Sequence, residues 1–280
     1  MILENSTKKI RPVLKWAGGK SSLLSQLFLY FPRTMNRYLE PFLGAGSVYL
    51  SLLYNVPMIV NDVNYELFLL YTVIRDHPDE LMFCLDEFQK KYSETFFYEL
   101  RKNVPISQIQ QAARTIFLNK TCFNGLFRQN RKGEFNVPFG KKTSCPTLYD
   151  KEHMINFSLK LKNTLLRNED FQTIVESAEK GDFIYCDPPY EPLSKTSSFR
   201  NYNSTGFSQD DQKRLFKSCV AAEKRGVKIA ISNSTAPFIL DLYQDCKIQK
   251  IFAKRNINSL GSRRGVIEEV LILMGMESEL

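Results

Sequence analysis

The sequence predicts an α/β protein whose central sheet is mostly parallel and ends in an antiparallel pair of strands. Short apolar runs rich in β-branched and aromatic residues, such as 183–186 and 227–233, end abruptly in polar residues, which is typical of buried central strands. Segments with apolar residues every three or four positions lie between these runs and predict helices. The runs 247–254 and 266–274 are separated only by a short loop, so they predict the antiparallel pair.

Composition narrows the class of protein. A chain of 280 residues is long enough to bury a full core as one large domain, or as one domain carrying an insertion. No two of the six cysteines are close enough for a CxxC pair or a zinc ribbon, and His77 and His153 lie in no metal-ligand pattern, so no metal is expected. The N-terminal residues lack the order of a signal peptide, and no apolar run approaches the roughly 20 residues of a membrane helix, which predicts a cytoplasmic protein with no membrane partner. The net charge of +8 fits a polyanionic partner and, equally, a basic surface without that role.

The segment 15–20, Lys-Trp-Ala-Gly-Gly-Lys, predicts a glycine turn that leads into a helix over 23–31. Two adjacent glycines let the main chain approach a ligand closely, and Lys20 is able to place an ammonium on a carboxylate or a phosphate. By itself the segment fits a plain turn with a solvent-facing lysine at least as well.

The segment 38–53 predicts a strand, a glycine turn and a helix. Gly44 and Gly46 permit close approach to a nucleoside-type ligand, but two glycines fall short of the full dinucleotide fingerprint. A second strand is predicted over 57–61, and it ends at Asp62, an acid placed to bind ribose hydroxyls.

Residues 64–157 have mainly helical periodicity. Pro78 marks the start of a second helix, and Ser107 is expected to cap a third. The third helix has one apolar face and leaves Arg114 on or near the other face. In the first helix the expected core positions are Tyr65, Leu69 and Val73.

The segment 121–142 mixes cations and amides with aromatic and bulky apolar residues, and Lys132-Gly133 predicts a hairpin turn within it. Arginine and asparagine read guanine and adenine edges bidentately, and apolar side chains wedge between base steps, so the segment indicates a contact with nucleic acid. A basic hairpin with its aromatic side chains packed inward accounts for the same pattern. A helix is predicted after it, over 153–166.

A buried strand is predicted over 182–186, and it ends in Asp187-Pro188-Pro189-Tyr190. The prolines fix the main chain, so these groups leave the strand in a stiff arrangement. A carboxylate beside a free main-chain carbonyl gives two acceptors suited to both hydrogens of an NH2 group, and the Tyr190 ring is able to stack on a flat base. A strand followed by a proline turn is the plain alternative.

The remaining segments complete the α/β pattern. The polar segment 191–207 has no periodicity and predicts a loop, either a substrate lid or a plain surface loop. A helix over 208–225 and a strand over 227–233 follow, and a basic loop, 255–265, joins the last two strands.

Taken together, the segments 15–20, 40–47 and 187–190 resemble those of Dam-type DNA adenine-N6 methyltransferases of the α group, in the same order along the chain. Further matches at 124–126, 133–140 and 192–194 extend the resemblance over nearly the whole chain. The resemblance implies a Rossmann-like class I methyltransferase sheet with a terminal antiparallel hairpin, plus a mostly helical recognition insertion. It places the S-adenosylmethionine-binding catalytic domain in 1–62 and 158–280 and the insertion in 63–157.

The resemblance also implies roles for individual residues. S-adenosylmethionine would be contacted by Trp16, Lys20, Phe42, Gly44, Gly46, Asp62 and Asp187, with Asp62 on its ribose. The flipped adenine would be held by Asp187, Pro188, Pro189 and Tyr190. DNA would be contacted by Lys15, Phe123, Asn124, Leu126, Arg128, Pro138 and Lys141, with Lys15 and Arg128 on the guanines of GATC. Phe123 stands where relatives carry a tyrosine that inserts into the base stack, and Lys141 replaces an arginine that meets phosphate.

The sequence thus predicts a monomeric enzyme that transfers methyl from S-adenosylmethionine to a flipped adenine of GATC in double-stranded DNA. Methylation of cytosine N4 or of RNA adenine stays open as related chemistry, although Asp187 in place of serine disfavours cytosine. A catalytically silent DNA-binding regulator is the alternative from another class. Partnership with a restriction nuclease, a regulatory role and a phage origin are all compatible with the sequence.

Overall fold

A seven-stranded mixed sheet organises the computed structural model, which describes residues 10–130, 133–193, 206–254 and 266–276. The strands are β1 (Tyr38–Glu40), β2 (Met58–Asn61), β3 (Thr164–Arg167), β4 (Phe183–Cys186), β5 (Lys228–Ser234), β6 (Lys247–Lys254) and β7 (Val266–Met274). Their order in the sheet is β3-β2-β1-β4-β5-β7-β6. The pairs β1/β2, β1/β4 and β4/β5 are parallel, whereas β7 is antiparallel to both β5 and β6. The predicted mixed sheet with a terminal antiparallel pair is confirmed.

Several helices begin at residues whose chemistry favours a helix start. Pro78 opens its helix as predicted, and the side chains of Asn64, Ser93 and Asp150 accept main-chain N–H groups at three other starts. None of the helices in the described ranges is long and apolar enough to cross a membrane. The helices are α1 (Leu24–Leu27), α2 (Ser47–Ser51), α3 (Tyr65–Asp76), α4 (Pro78–Lys90), α5 (Glu94–Lys102), α6 (Gln108–Thr121), α7 (Lys151–Lys162), α8 (Phe171–Glu176), α9 (Gln209–Lys224) and α10 (Pro237–Leu242).

The chain divides into two compact units. Unit 1 comprises 1–19, 44–53 and 64–166, and unit 2 comprises 20–43, 54–63 and 167–280. In unit 1, α3 packs against α6 and α7, and α4 packs against α6. In unit 2 the core is built from β4, β5 and β7 together with α8 and α9. The two units are compact parts of the fold and carry no information about function. The catalytic domain over 1–62 and 158–280 and the recognition insertion over 63–157 therefore stay a prediction.

Strand β4 lies in the fully buried centre of unit 2. All four of its residues are fully buried, which explains why the sequence here is a continuous apolar run without alternation. Just before the strand, both oxygens of the buried Asp182 carboxylate share the Arg37 Nε–H, at 3.0 and 3.1 Å, and Oδ2 also accepts from Arg37 Nη2. The strand is therefore held firmly at its start, and its end is a rigid place for a functional group.

The structure corrects the predicted helix over 153–166. Helix α7 ends at Lys162, and Thr164–Arg167 form β3 instead, with side chains alternately buried and exposed. The leucines at the end of this segment fit both a helical and a strand period, and the place of β3 beside β2 in the sheet is what makes the segment a strand. The predicted helix over 23–31 is also shorter, because only Leu24–Leu27 are α-helical and no side chain caps its start.

Two side chains of the helical region are placed differently from the prediction. Tyr65, expected in the core, is 51% exposed, whereas Arg114, expected near a polar face, is only 4% exposed. Arg114 donates to the main-chain carbonyls of Leu100 and Arg101, at 2.8 and 3.0 Å. Because α6 contacts α3, α4 and α5, residues 112–119 are buried all round the helix, and Arg114 does not lie on the polar face that amphipathic periodicity assumes. Ser107 precedes α6 but makes no capping hydrogen bond with its side chain.

Two predicted loops fall mostly outside the described part of the chain. These are 194–205 of the candidate lid and the basic loop 255–265. Ser194 and Lys132, which belong to the motif matches and to the hairpin turn, also lie outside the described residues.

Candidate functional site

Three predicted site residues of unit 2 follow the carboxyl ends of neighbouring parallel strands. Phe42 lies two residues after β1, Asp62 directly after β2 and Asp187 directly after β4. Because β2, β1 and β4 are adjacent in the sheet, these residues meet at one edge, where open α/β sheets bind ligands. The Phe42 ring stacks on Phe171 with centroids 5.3 Å apart. The Asp62 main chain is fixed by hydrogen bonds with Arg167 and Asn168, at 3.4 and 2.7 Å.

Lys20 and Asp187 form a buried ion pair at this edge. The Lys20 Nζ atom lies 2.8 Å from Asp187 Oδ2, and the side chains are only 4% and 20% exposed. Burial raises the pKa of the Asp187 carboxyl, while the Lys20 ammonium opposes that rise. The plain alternative of a solvent-facing lysine is therefore wrong, and the structure brings together two residues that lie far apart in the sequence.

Tyr190 completes this cluster. The Lys20 ammonium lies 4.7 Å from the centroid of the Tyr190 ring, within the range of a cation–π contact. The Tyr190 hydroxyl donates a hydrogen bond of 2.7 Å to Glu269 Oε2 on β7. Burial, followed by the charges of Asp187 and Glu269, raises the pKa of Tyr190 well above its ordinary value, so the phenol is protonated at neutral pH.

Buried side chains behind the cluster hold the main chain on both sides of Tyr190. Gln212, on α9, donates to the Pro189 carbonyl at 2.9 Å and accepts from the Asn233 amide at 3.2 Å. The Ser234 hydroxyl donates to the Glu191 carbonyl at 2.6 Å. Sequence reasoning missed Gln212, Asn233 and Glu269, because their importance depends on the packing of α9 and on the register of β5 and β7.

The glycine residues predicted to approach a ligand lie in unit 1 and have conformations that favour glycine. Gly44 has φ +51°, and a Cβ atom there would lie 3.2 Å from Trp16 Cδ1. Gly46 has φ +73° and is the N-cap of α2. Trp16 also packs on Phe127 with ring centroids 4.5 Å apart. The indole is therefore fixed against the glycine turn, which suits a surface for a flat ligand.

The predicted recognition residues of unit 1 are all on the surface. A 3-10 turn, Phe123–Gly125, starts the segment, and two bridges pair 122 with 139 and 129 with 135. Gly133, the described residue of the predicted Lys132-Gly133 turn, donates its N–H to the Asn130 carbonyl at 2.9 Å. Phe135, Val137 and Phe139 are buried, so part of the inward-packing alternative is correct. The exposed residues are Lys15, Phe123, Asn124, Leu126, Arg128, Pro138 and Lys141.

Asn119, on α6, ties Lys15 to this turn. Its side-chain amide donates to the Lys15 carbonyl and its oxygen accepts the Lys15 N–H, both at 3.0 Å. A Cβ atom on Gly125 would lie 2.8 Å from Lys15 Cδ, so the lysine stem lies directly against the turn. Arg128 is held by a 2.8 Å hydrogen bond from its Nε to Asn136. Sequence reasoning missed Asn119, which looks like an ordinary polar residue of a helix.

The mixed sheet, with the Lys20–Asp187 ion pair at the end of its central strand, defines an α/β protein of the Rossmann-like class with a ligand site at that edge. The family model of D12 class N6 adenine-specific DNA methyltransferases matches residues 16–257. The chain belongs to this family of enzymes, and the family implies S-adenosylmethionine as the methyl donor.

Individual relatives extend over almost the whole chain. The chain is 39% identical to the Type II methyltransferase M.MjaIII of Methanocaldococcus jannaschii, across 95% of this chain and 99% of that protein. It is 36% identical to the Type II methyltransferase M1.LlaDCHI of Lactococcus lactis subsp. cremoris, across 97% and 98% of the two chains. It is 32% identical to the DNA adenine methylase of Escherichia coli K12, across 95% and 96%.

Proposed function

We propose that this protein methylates N6 of the adenine in GATC sites of double-stranded DNA, after flipping that adenine out of the helix. The observation that carries the proposal is the Lys20, Asp187 and Tyr190 cluster at the end of β4. Relatives named DNA adenine methylase and Type II methyltransferase support the substrate class. The enzyme acts in the cytoplasm and as a monomer in this proposal.

The site is suited to holding an exocyclic amine. Asp187 supplies one acceptor, and the Pro188 carbonyl supplies a second, to which no side chain or main-chain group of the described residues donates. The neighbouring Pro189 carbonyl is already occupied by Gln212. Two acceptors without a donor between them bind both amine hydrogens, which draws the nitrogen lone pair out of conjugation and towards an electrophile. Tyr190 then stacks on the base.

The donor, S-adenosylmethionine, supplies a methyl group on a sulfonium. The amine nitrogen forms a bond to the methyl carbon as the carbon–sulfur bond breaks, the electron pair stays on sulfur, and the proton released from the nitrogen passes to solvent water. The residues of this chain orient the reactants. In the proposal Asp62 binds the ribose hydroxyls of the donor, and Phe42, Trp16, Lys20, Gly44 and Gly46 complete its contacts.

Recognition of DNA is assigned to the exposed residues of unit 1. Lys15 and Arg128 read the guanines, because long cations suit the acceptors of the guanine edge. Asn124, Leu126 and Pro138 touch other bases, Phe123 enters the stack, and Lys141 meets a phosphate. The proposal is supported by the exposure of every one of these side chains.

The test is methyl incorporation from labelled S-adenosylmethionine into matched duplexes. One duplex contains a single GATC, a second has that adenine already N6-methylated on both strands, and a third has each guanine of the site replaced. We expect label only in the first duplex, as N6-methyladenine. Label in the third duplex at an equal rate would refute GATC specificity, label on cytosine would refute the adenine target, and binding without label would indicate a silent regulator.

Arg128→Ala is expected to relax the choice of one guanine. Loss of a bidentate contact to a base costs about 1–3 kcal/mol of discrimination. The ratio of kcat/KM for the GATC duplex and a duplex with one guanine replaced measures this loss. Lys141→Ala is the control, because loss of a phosphate contact weakens binding to both duplexes alike. Equal losses on both duplexes for Arg128→Ala would contradict the assignment.

Phe123→Ala is expected to impair base flipping while leaving the fold intact. The side chain is 53% exposed, so it anchors no core in unit 1, and stacking on bases is worth about 1–3 kcal/mol. Fluorescence of 2-aminopurine at the target position measures flipping, with Tyr190→Ala in every protein so that this ring does not quench the signal. Phe123→Tyr retains stacking and should behave like the parent protein.

The matched structural control for Phe123 is Phe135→Ala. Phe135 is 4% exposed and packs on Phe127 with centroids 5.6 Å apart, so its loss should lower the melting temperature. A Phe123→Ala protein that melts like the parent and still flips the base would rule out the stacking role.

A further inference from the structure

We propose that Glu269 is a positioning residue that keeps the Tyr190 hydroxyl proton away from Asp187, so that Asp187 remains available as an acceptor for the amine. The inference rests on the proposed function and deepens it. Glu269 lies on a strand that none of the sequence motifs includes, and its role follows from the register of β7.

The register of β7 places Glu269 at the functional edge of the sheet. Glu269 pairs with Ser234 at the end of β5 and with Ile251 on β6. Because β7 is antiparallel to β5, the early residues of β7 lie beside the carboxyl end of β5, which is next to β4. Its neighbour Glu268 instead pairs with the exposed Lys250 at 3.0 Å, since consecutive residues of a strand point to opposite faces.

A phenol carries one proton, and two carboxylates compete for it here. The Tyr190 hydroxyl donates to Glu269 at 2.7 Å. Asp187 is the second carboxylate beside this residue, because the Lys20 ammonium lies both 2.8 Å from Asp187 Oδ2 and 4.7 Å from the centroid of the Tyr190 ring. A hydrogen bond from Tyr190 also acts to lower the pKa of Asp187. If the proton pointed to Asp187, it would occupy a lone pair that the amine needs. Glu269 therefore directs the single proton to the side that takes no part in holding the amine.

The position of the Tyr190 ring is restricted by its neighbours. Hydrogen bonds from Gln212 and Ser234 fix the peptide carbonyls of Pro189 and Glu191, on either side of Tyr190. The Lys20 ammonium lies against one face of the ring. With the main chain and the ring fixed, rotation of the hydroxyl is the remaining variable, and the acceptor at Glu269 determines it.

The inference is tested with a double-mutant cycle on the full chain. We expect Glu269→Ala to reduce the single-turnover rate of methyl transfer by about tenfold, equivalent to about 1.4 kcal/mol. Tyr190→Phe removes the competing proton, so Glu269→Ala should cause no further loss in the Tyr190→Phe protein. Glu269→Gln still accepts through its amide oxygen and should retain most of the rate. Glu268→Ala is the matched control and should turn over like the wild type.

The outcomes separate this inference from the function on which it rests. Losses that multiply in the double variant, or a Glu269→Gln protein as slow as Glu269→Ala, would overturn the role of Glu269. The same four proteins are also compared by thermal unfolding, which requires no turnover, and an absence of coupling between positions 190 and 269 there would overturn it as well. A wild-type protein that labels no DNA would overturn the proposed function, while the unfolding cycle still decides whether the hydroxyl is bound by Glu269.

Discussion

Asp187→Ala is expected to reduce methyl transfer to DNA by about 10²–10³-fold, because removal of one preorganised group that acts in the transition state typically costs that much. The carboxylate lies at the end of the fully buried strand β4, so its position is fixed by the fold. As the amine nitrogen gives its lone pair to the methyl group, its hydrogens become more acidic and the hydrogen bond to Asp187 strengthens. The rate of a single turnover with saturating donor and DNA measures the effect.

The controls for Asp187 separate chemistry from folding and from binding of the donor. Asp187→Asn preserves the shape but introduces a donor where the amine needs an acceptor, so it should be almost as slow. Asp245→Ala removes an exposed carboxylate elsewhere in unit 2 and should leave the rate unchanged. Donor affinity is measured apart from the rate by equilibrium binding. A folded Asp187→Ala protein with a rate near that of the wild type would show that the amine is held elsewhere.

The sheet edge could be predicted from the sequence because local signals marked each of its parts. The run 183–186 is apolar without alternation, and that pattern persists because both faces of β4 are covered. Asp62 and Asp187 end their strands, so parallel pairing was enough to bring them to one edge. The glycine of the predicted Lys132-Gly133 turn was an equally local signal, because glycine tolerates the positive φ of 78° found at Gly133.

The partners of these residues could not be predicted, because they depend on contacts between distant segments. Lys20 is 167 positions before Asp187, and nothing local distinguishes it from a lysine in solvent. Glu268 and Glu269 are adjacent acids in the same segment, so the local sequence does not distinguish them. The register of β7 is what gives them different partners. Arg114 was misplaced for the same reason, since its burial follows from three helices that pack on α6.

Lys20→Met is expected to slow methyl transfer at neutral pH on the order of a hundredfold, because a buried carboxylate deprived of its cation protonates readily. Methionine keeps the length of the side chain and removes the ammonium. Burial already raises the pKa of Asp187, Glu269 adds to the rise, and Lys20 is the main group that opposes it. Without Lys20 the pKa of Asp187 therefore rises further. The carboxyl is then protonated over a wider range of pH and no longer accepts a hydrogen bond from the amine there.

The direction of the pH dependence distinguishes this role from simple loss of a donor contact. Asp187 acts as a carboxylate, so the rate falls as pH falls through its pKa, and a higher pKa moves this acid limb to higher pH. Raising the pH should then restore part of the rate of Lys20→Met, whereas Asp187→Ala has no carboxylate to recover and should stay slow. Lys217→Met, an exposed change on α9, is the control. If Lys20→Met were slow but had the acid limb of the wild type, Lys20 would act on the donor and not on the charge of Asp187.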